Sequence, residues 1–163
     1  MSTESTAIKT DTHADVSKTH LRLWLKMLKT TKLIEAELRE RLRVEYNTTL
    51  PRFDVMAALY RDQDGLKMSE LSGVLKVSNG NVTGIVDRLV EEGLVKRIAV
   101  KGDRRAMLVK LTPVGGAAFL NMAKIHEKWV DNMLITIDLN ESEQLNDLLT
   151  RIDNDIEQQR MPK

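Results

Sequence analysis

The sequence predicts a mainly α-helical protein with one small β-hairpin: four helices, two short strands, then two more helices. Three observations lead there. Apolar residues recur at steps of three and four over long stretches near both ends of the chain, the period of an amphipathic helix. Two short helical patterns separated by a tight turn fill the middle. Directly after them come two β-branched or aliphatic runs, LVKRIAV and AMLVKLT, joined by KGDRR; such a pair reads as a two-stranded hairpin with a basic tip.

Taken in order, residues 1–16, MSTESTAIKTDTHADV, are small, polar and aperiodic and are expected to form a flexible tail. Leu21, Trp24, Leu28, Thr31, Ile34, Leu38 and Leu42 then mark one long helix over residues 17–46, with ELRERLR as its charged face. Such a length exceeds what a small domain needs, so this helix is expected to pack against something outside its own core. Pro51 suits the first turn of a second helix, which runs to Arg61 and is broken by RDQDGL. A short helix from Met68 to Leu75 turns Leu71, Val74 and Leu75 inward. After the turn KVS, a helix from Asn79 to Glu92 follows, with Ser78 as N-cap, an inward stripe of Val82, Ile85, Val86, Leu89 and Val90, and Gly93 as its end. Past the hairpin, Pro113, Gly115 and Gly116 mark the return to helix. Leu120, Ala123, Ile125 or His126, Trp129, Val130 and Met133 trace a fifth helix to Thr136. Asn140 or Ser142 caps a sixth, whose stripe is Leu145, Leu148, Leu149, Ile152 and Ile156.

With 163 residues, the chain is long enough for one domain, or two small interlocked ones, around a real core. The net charge of +1 does not announce a polyanion as partner, but the distribution does more. From Leu94 to Thr112 there are six basic residues against Asp103 alone; from Asp138 to Glu157 there are seven acids against Arg151 alone. Charge so segregated is expected when one face meets an anion and another does not. The absence of cysteine excludes thiol and disulfide chemistry and suits a cytoplasmic protein. No apolar run reaches transmembrane length, and no signal-peptide pattern opens the chain. Three scattered histidines make no metal site, and there is no nucleophile–base pair or phosphate loop, so neither an enzyme, a cofactor nor a metal is expected.

Short helix, tight turn, helix and hairpin together form the winged helix-turn-helix arrangement. VSNGNVTGIVDRLVEEGLVKR, followed by GDRRAMLVKLTPVG, resembles the MarR family of bacterial transcriptional regulators, most specifically in D-R-R followed by L-x-K-L-T. The resemblance runs from about His20 to the end of the chain. It implies a homodimeric DNA-binding regulator, usually a repressor, with dimerisation helices over 17–50 and 114–160 and a winged helix-turn-helix over 51–113. It also implies a small-molecule effector, often aromatic or phenolic, that enters a cleft between those parts and releases DNA. In the wing, Arg105 matches an arginine that enters the minor groove and Asp103 the acid that orients it, with Arg104 and Lys101 facing phosphates. His20, Trp24, Leu28, Phe53, Met56 and Trp129 fall on the elements implied to line the ligand cleft. WLKMLKTTKLIEAELRERLR is similar to a subgroup associated with aromatic-acid degradation, some of whose members sense acyl-CoA thioesters. Lys26, Lys29, Lys32 and Arg39 on that helix would suit an anionic ligand or form a solvated face.

The implied recognition helix has no positive charge between Lys76 and Arg88. Relatives often carry Arg or Lys there, so guanine readout by arginine is not implied. Asn79, Asn81, Val82 and Thr83 occupy its first two turns. An Asn carboxamide pairs with adenine N6 and N7, a Thr methyl touches a thymine methyl, and the helix N-terminus offers N–H groups to phosphate. Gly80 and Gly84 each lower helix propensity by about 1 kcal/mol relative to Ala; either close backbone approach to DNA or to the preceding helix explains them, or they are merely tolerated. Arg88 is expected to bind a phosphate or pair with an acid. The alternative to a pseudo-palindromic duplex operator as partner is a winged-helix protein-interaction module without sequence-specific DNA binding.

Overall fold

The computed structural model describes residues 5–100 and 103–160, with side chains for 15–100 and 107–160. The elements are α1 (Ser5–Tyr46), α2 (Leu50–Arg61), β1 (Leu66–Lys67), α3 (Met68–Leu75), α4 (Asn79–Glu91), β2 (Val95–Val100), β3 (Asp103–Leu111), α5 (Pro113–Met133) and α6 (Leu139–Arg160). The mainly helical fold with a hairpin wing is the one the periodicities predict. α1 begins at Ser5 rather than residue 17, so residues 5–16 of the expected tail are helical. No Gly or Pro interrupts that segment, and extending a nucleated helix adds a hydrogen bond for each residue fixed.

The sheet has three antiparallel strands in the order β1-β3-β2, not two. β1 is only two residues long, pairing Leu66 with Val109 and Lys67 with Leu108, and Gly65 at φ 93 turns the chain into it. Two residues carry no readable alternation, which is why RDQDGL reads only as a break. In the hairpin, Val95 pairs with Leu111, Lys96 with Lys110 and Arg97 with Val109. β3 begins at Asp103, so Asp103, Arg104 and Arg105 are strand residues rather than a loop tip.

Caps define the helix starts. Thr49 accepts the Arg52 N–H at 3.4 Å and begins α2. At α3, Lys67 has no side-chain acceptor to offer, and the Glu70 carboxylate instead accepts the Lys67 N–H at 2.8 Å. α6 is capped by Asp138, not by Asn140 or Ser142. Asp138 Oδ1 accepts the Glu141 N–H at 2.8 Å and Glu141 Oε2 accepts the Asp138 N–H at 3.0 Å, a reciprocal capping box.

The chain divides into two compact units, Met1–His126 and Glu127–Lys163. In the first, Leu42 of α1, Val55, Met56 and Leu59 of α2, Leu71 of α3, Val82, Val86 and Leu89 of α4, Val95 and Val109 are almost wholly buried. Val74, expected to point inward, is 54% exposed; Ser72 takes the second buried place on α3. Phe53, Phe119, Tyr60 and His126 form an aromatic cluster, with Phe53 stacked on His126 at 4.5 Å between ring centroids. In the second unit, α6 has no buried residue, and its apolar stripe, Leu145, Leu148, Leu149, Ile152 and Ile156, is exposed.

One corner sets how α4, the sheet and α5 meet. Gly93, at φ 72, ends α4 in the left-handed conformation that favours glycine. Leu94 O then accepts the Thr112 N–H at 3.0 Å. The Thr112 hydroxyl donates to Gly93 O at 2.7 Å and accepts the Gly115 N–H at 3.0 Å, capping α5. A Cβ at Gly115 would lie 1.9 Å from Leu94 O, whereas one at Gly116 would meet nothing within 4 Å. Gly115→Ala should therefore destabilise the fold by at least about 1–3 kcal/mol, as overpacking does. Gly116→Ala should be neutral or stabilising by up to about 1 kcal/mol. Urea denaturation at equal protein concentration measures both.

Candidate nucleic-acid interface

α3 and α4 are joined by a three-residue turn in which Lys76 adopts φ 56 and the Val77 N–H donates to Ser72 O at 3.2 Å. The Ser72 hydroxyl donates to Met68 O at 2.5 Å and bonds with the Asn79 carboxamide. Asn79 thus uses part of its polar group to hold the turn. Ser78 occupies the N-cap position with an extended backbone, but its hydroxyl makes no capping bond.

Asn79, Gly80, Asn81, Thr83, Gly84 and Arg88 are exposed along α4. Val82 is not: it is 0% exposed, so a base contact expected of it is corrected to a core role, one turn before Val86. The Thr83 hydroxyl donates back to Asn79 O at 2.8 Å. Added Cβ atoms at Gly80 and Gly84 would meet nothing within 4 Å, which rules out close approach to α3 as the reason for these glycines. Asp87, the one acid between Lys76 and Arg88, is bridged by Arg97 of β2 at 2.5 Å. Arg88 has no ion pair among the described residues.

The three hairpin cations whose side chains are described, Lys96, Arg97 and Lys110, do not share one face. Arg97 points to α4, and strand alternation sends Lys96 to the opposite side, with Lys110 paired across from it. Lys101 lies outside the described residues, as do the side chains of Asp103, Arg104 and Arg105. Arg52 of α2 makes a bidentate pair with Glu92 at the end of α4, with Nη1 to Oε1 at 2.7 Å. That hydrogen bond holds the Glu92 carboxyl below its ordinary range.

The residues expected to line a ligand cleft differ in exposure. His20 and Trp24 are exposed on α1. Leu28 borders a shallow groove with Leu25, Lys29, Lys32 and Leu33. Phe53, Met56 and Trp129 are buried. Met56 also borders a recess of about 430 Å³ that includes Arg52, Glu92 and Asn121. A larger recess, about 510 Å³, joins Glu35, Arg39 and Asp54 to Asn81 and Ile85 of α4. Partial burial, then the Glu35 charge, raises the Asp54 carboxyl above its usual range. Sequence reasoning passed over this recess because its walls come from four separate helices, α1 to α4. Among the described residues no helix is long and apolar enough to cross a membrane, and no group of three His, Asp or Glu is placed to hold a metal ion.

The helix pair, exposed α4 and strand ribbon define a winged helix-turn-helix protein. Comparison with known proteins narrows the class. Residues 48–107 match the MarR family. A MarR family transcriptional regulator from Silicibacter pomeroyi has a similar structure, with a TM-score of 0.73 and 32% identity, covering 87% of this chain and 98% of that one. A mutant MarR from E. coli complexed with operator DNA is similar with a TM-score of 0.70 and 26% identity, over 82% of this chain and 95% of that one. The transcriptional regulator PecS of Dickeya dadantii is 27% identical over 111 residues, 67% of each chain. The chain belongs to the MarR family.

Burial lowers the His126 pKa from its ordinary 6.5, because the imidazolium loses water. A depressed folded pKa means that neutral His126 contributes stability present above the unfolded value and lost as pH falls through the folded one. The urea midpoint should therefore drop more between about pH 7 and pH 5 in the wild type than in His126→Phe, which keeps a ring against Phe53 but carries no proton. Equal drops would remove His126 as the cause.

Proposed function

We propose that this chain is a homodimeric transcriptional repressor that binds a pseudo-palindromic duplex operator and is released from it by a small aromatic or acyl-CoA-type ligand. The observation that carries the DNA reading is the outer face of α4. Its first two turns expose Asn81, Thr83, Gly80 and Gly84, its cap hydroxyl leaves the helix amides free, and its one acid is countered by Arg97. Such a helix reads bases while other groups hold phosphate. Asn81 pairs with adenine in the major groove and the Thr83 methyl touches a thymine methyl. Ser78 and Asn79 border the backbone at the helix N-terminus. Arg88, Lys101 and Arg104 neutralise phosphates, and Arg105, oriented by Asp103, enters the flanking minor groove. The likeness to a MarR solved with operator DNA supports the same partner here.

Residues 51–113 form the DNA-binding part in this reading, and 17–50 with 114–160 the dimerisation part. The exposed apolar stripe of α6, together with Leu21, Trp24, Leu25 and Leu33 of α1, calls for a covering surface, and a second copy supplies one. Two copies place their recognition helices in half-sites about one helical turn apart. The effector meets His20, Trp24 and Leu28 on α1; Phe53, Met56 and Trp129 join it only by repacking. A ligand that prefers a dimer with misplaced recognition helices weakens DNA binding by the same factor by which DNA weakens ligand binding. The protein acts in the cytoplasm, where its operator is.

A duplex selected from a randomised pool and followed by fluorescence anisotropy at several salt concentrations tests this reading. Binding should weaken steeply with salt. Arg105→Ala should lose about 1–3 kcal/mol of specific affinity while remaining dimeric. Asn81→Ala should relax base preference by a similar amount without changing the salt slope, and Lys101→Ala should lower that slope by about 1. Gly84→Ala should stabilise the fold by up to about 1 kcal/mol yet weaken operator binding. A flat salt dependence would favour the protein-interaction module instead.

A further inference from the structure

We infer that the recess behind the wing, on the side of the sheet away from α4, is a binding site for a small organic anion: a carboxylate on an apolar, planar body, held between Lys96 and Lys110. The two lysines are direct partners across β2 and β3, so their side chains leave the sheet on the same face. Like charges placed directly opposite each other destabilise a sheet. Neither lysine forms an ion pair among the described residues. DNA bound to α4 does not explain them either. Arg97, between Lys96 and Ile98, is the residue that reaches Asp87 of α4, so Lys96 points the other way.

The walls around the two cations are shaped for more than a bare ion. Lys96, Lys110, Tyr60, Gln63, Ile98 and Pro113 line a recess of about 380 Å³, within the roughly 300–1,000 Å³ of small-molecule sites. Ile98 is 36% exposed there, although it lies in mid-strand. The stem of Lys110 passes so close to Gly65 that a Cβ on Gly65 would lie 2.6 Å from its Cγ, which limits where that ammonium can go. A carboxylate between the ammonium groups would screen their repulsion and bridge β2 to β3, while Ile98, Pro113 and the Tyr60 ring would cover its apolar body. Inorganic phosphate has the charge without the body, and benzyl alcohol has the body without the charge. The site is separate from the helix residues assigned to the effector, and its test needs no DNA.

Isothermal titration calorimetry of the full chain with benzoate, alongside amide NMR spectra, tests the inference without DNA. Benzoate should bind saturably and shift the Lys96, Ile98 and Lys110 amides. Benzyl alcohol and inorganic phosphate should each bind at least about tenfold more weakly. Lys96→Glu creates an opposite-charge pair with Lys110, so it should fold at least as well as the wild type and lose the shifts at this site. Lys96→Arg should retain them. Lys110→Gln, which removes one charge without reversing it, should weaken binding at this site at least about tenfold and serves if Lys96→Glu does not fold. Unchanged benzoate shifts in Lys96→Glu or Lys110→Gln, or equal binding of benzyl alcohol or phosphate, would overturn the inference.

Discussion

The Leu94 carbonyl oxygen accepts the Thr112 N–H and lies against the Cα of Gly115, and much of the molecule depends on that contact. Leu94 follows the end of α4 and begins the path into β2; Thr112 follows β3 and caps α5. One hydrogen-bonded corner therefore sets the ribbon's origin relative to α4 and to α5 at once. On the far side, Arg97 ties the same ribbon to Asp87 in the middle of α4. Two attachments, one at the base and one along the side, define the angle between the helix and the wing.

That geometry also divides the ribbon's charge. Alternation along β2 gives Arg97 to α4 and Lys96 to the opposite face. Cations that look like one basic patch in the sequence, Lys96, Arg97 and Lys110, lie on two surfaces separated by the thickness of a sheet. In the proposed function, holding a polyanion falls to Arg88 and to the end of the wing, while α4 presents carboxamide, methyl and bare backbone. The absence of charge in its first two turns is consistent with a reading role, since phosphate contacts carry no sequence information.

Long periodic elements were legible in the sequence because their signal is summed over many residues. The central helix pair, the hairpin, α5 and α6 fall close to where the patterns put them, while α1 starts well before its apolar stripe, at Ser5. Short or reciprocal features were not legible. β1 has two residues and exists only because β3 offers an edge. Asp138 caps α6 through a box with Glu141, while Asn140 and Ser142 offer equally good cap chemistry nearby. Val82 fits both the inward stripe and the reading end of α4, and only the packed helix shows that it is core. Gly115 looks like a helix-start glycine until Leu94 O is seen against it. For Gly80 and Gly84 the structure removes close approach to α3 and leaves approach to DNA or mere tolerance.

The central claim is that α4 reads bases in the major groove while the wing enters the minor groove beside it. Dimethyl sulfate protection of a selected duplex tests it most directly, because the reagent methylates guanine N7 in the major groove and adenine N3 in the minor groove. In a duplex with guanines placed beside the adenine·thymine pairs that α4 reads, the account predicts N7 protection of those guanines in two half-sites about 10 base pairs apart, with N3 protection flanking them that disappears in Arg105→Ala. Protection confined to one groove, or N3 protection that survives Arg105→Ala, would contradict it.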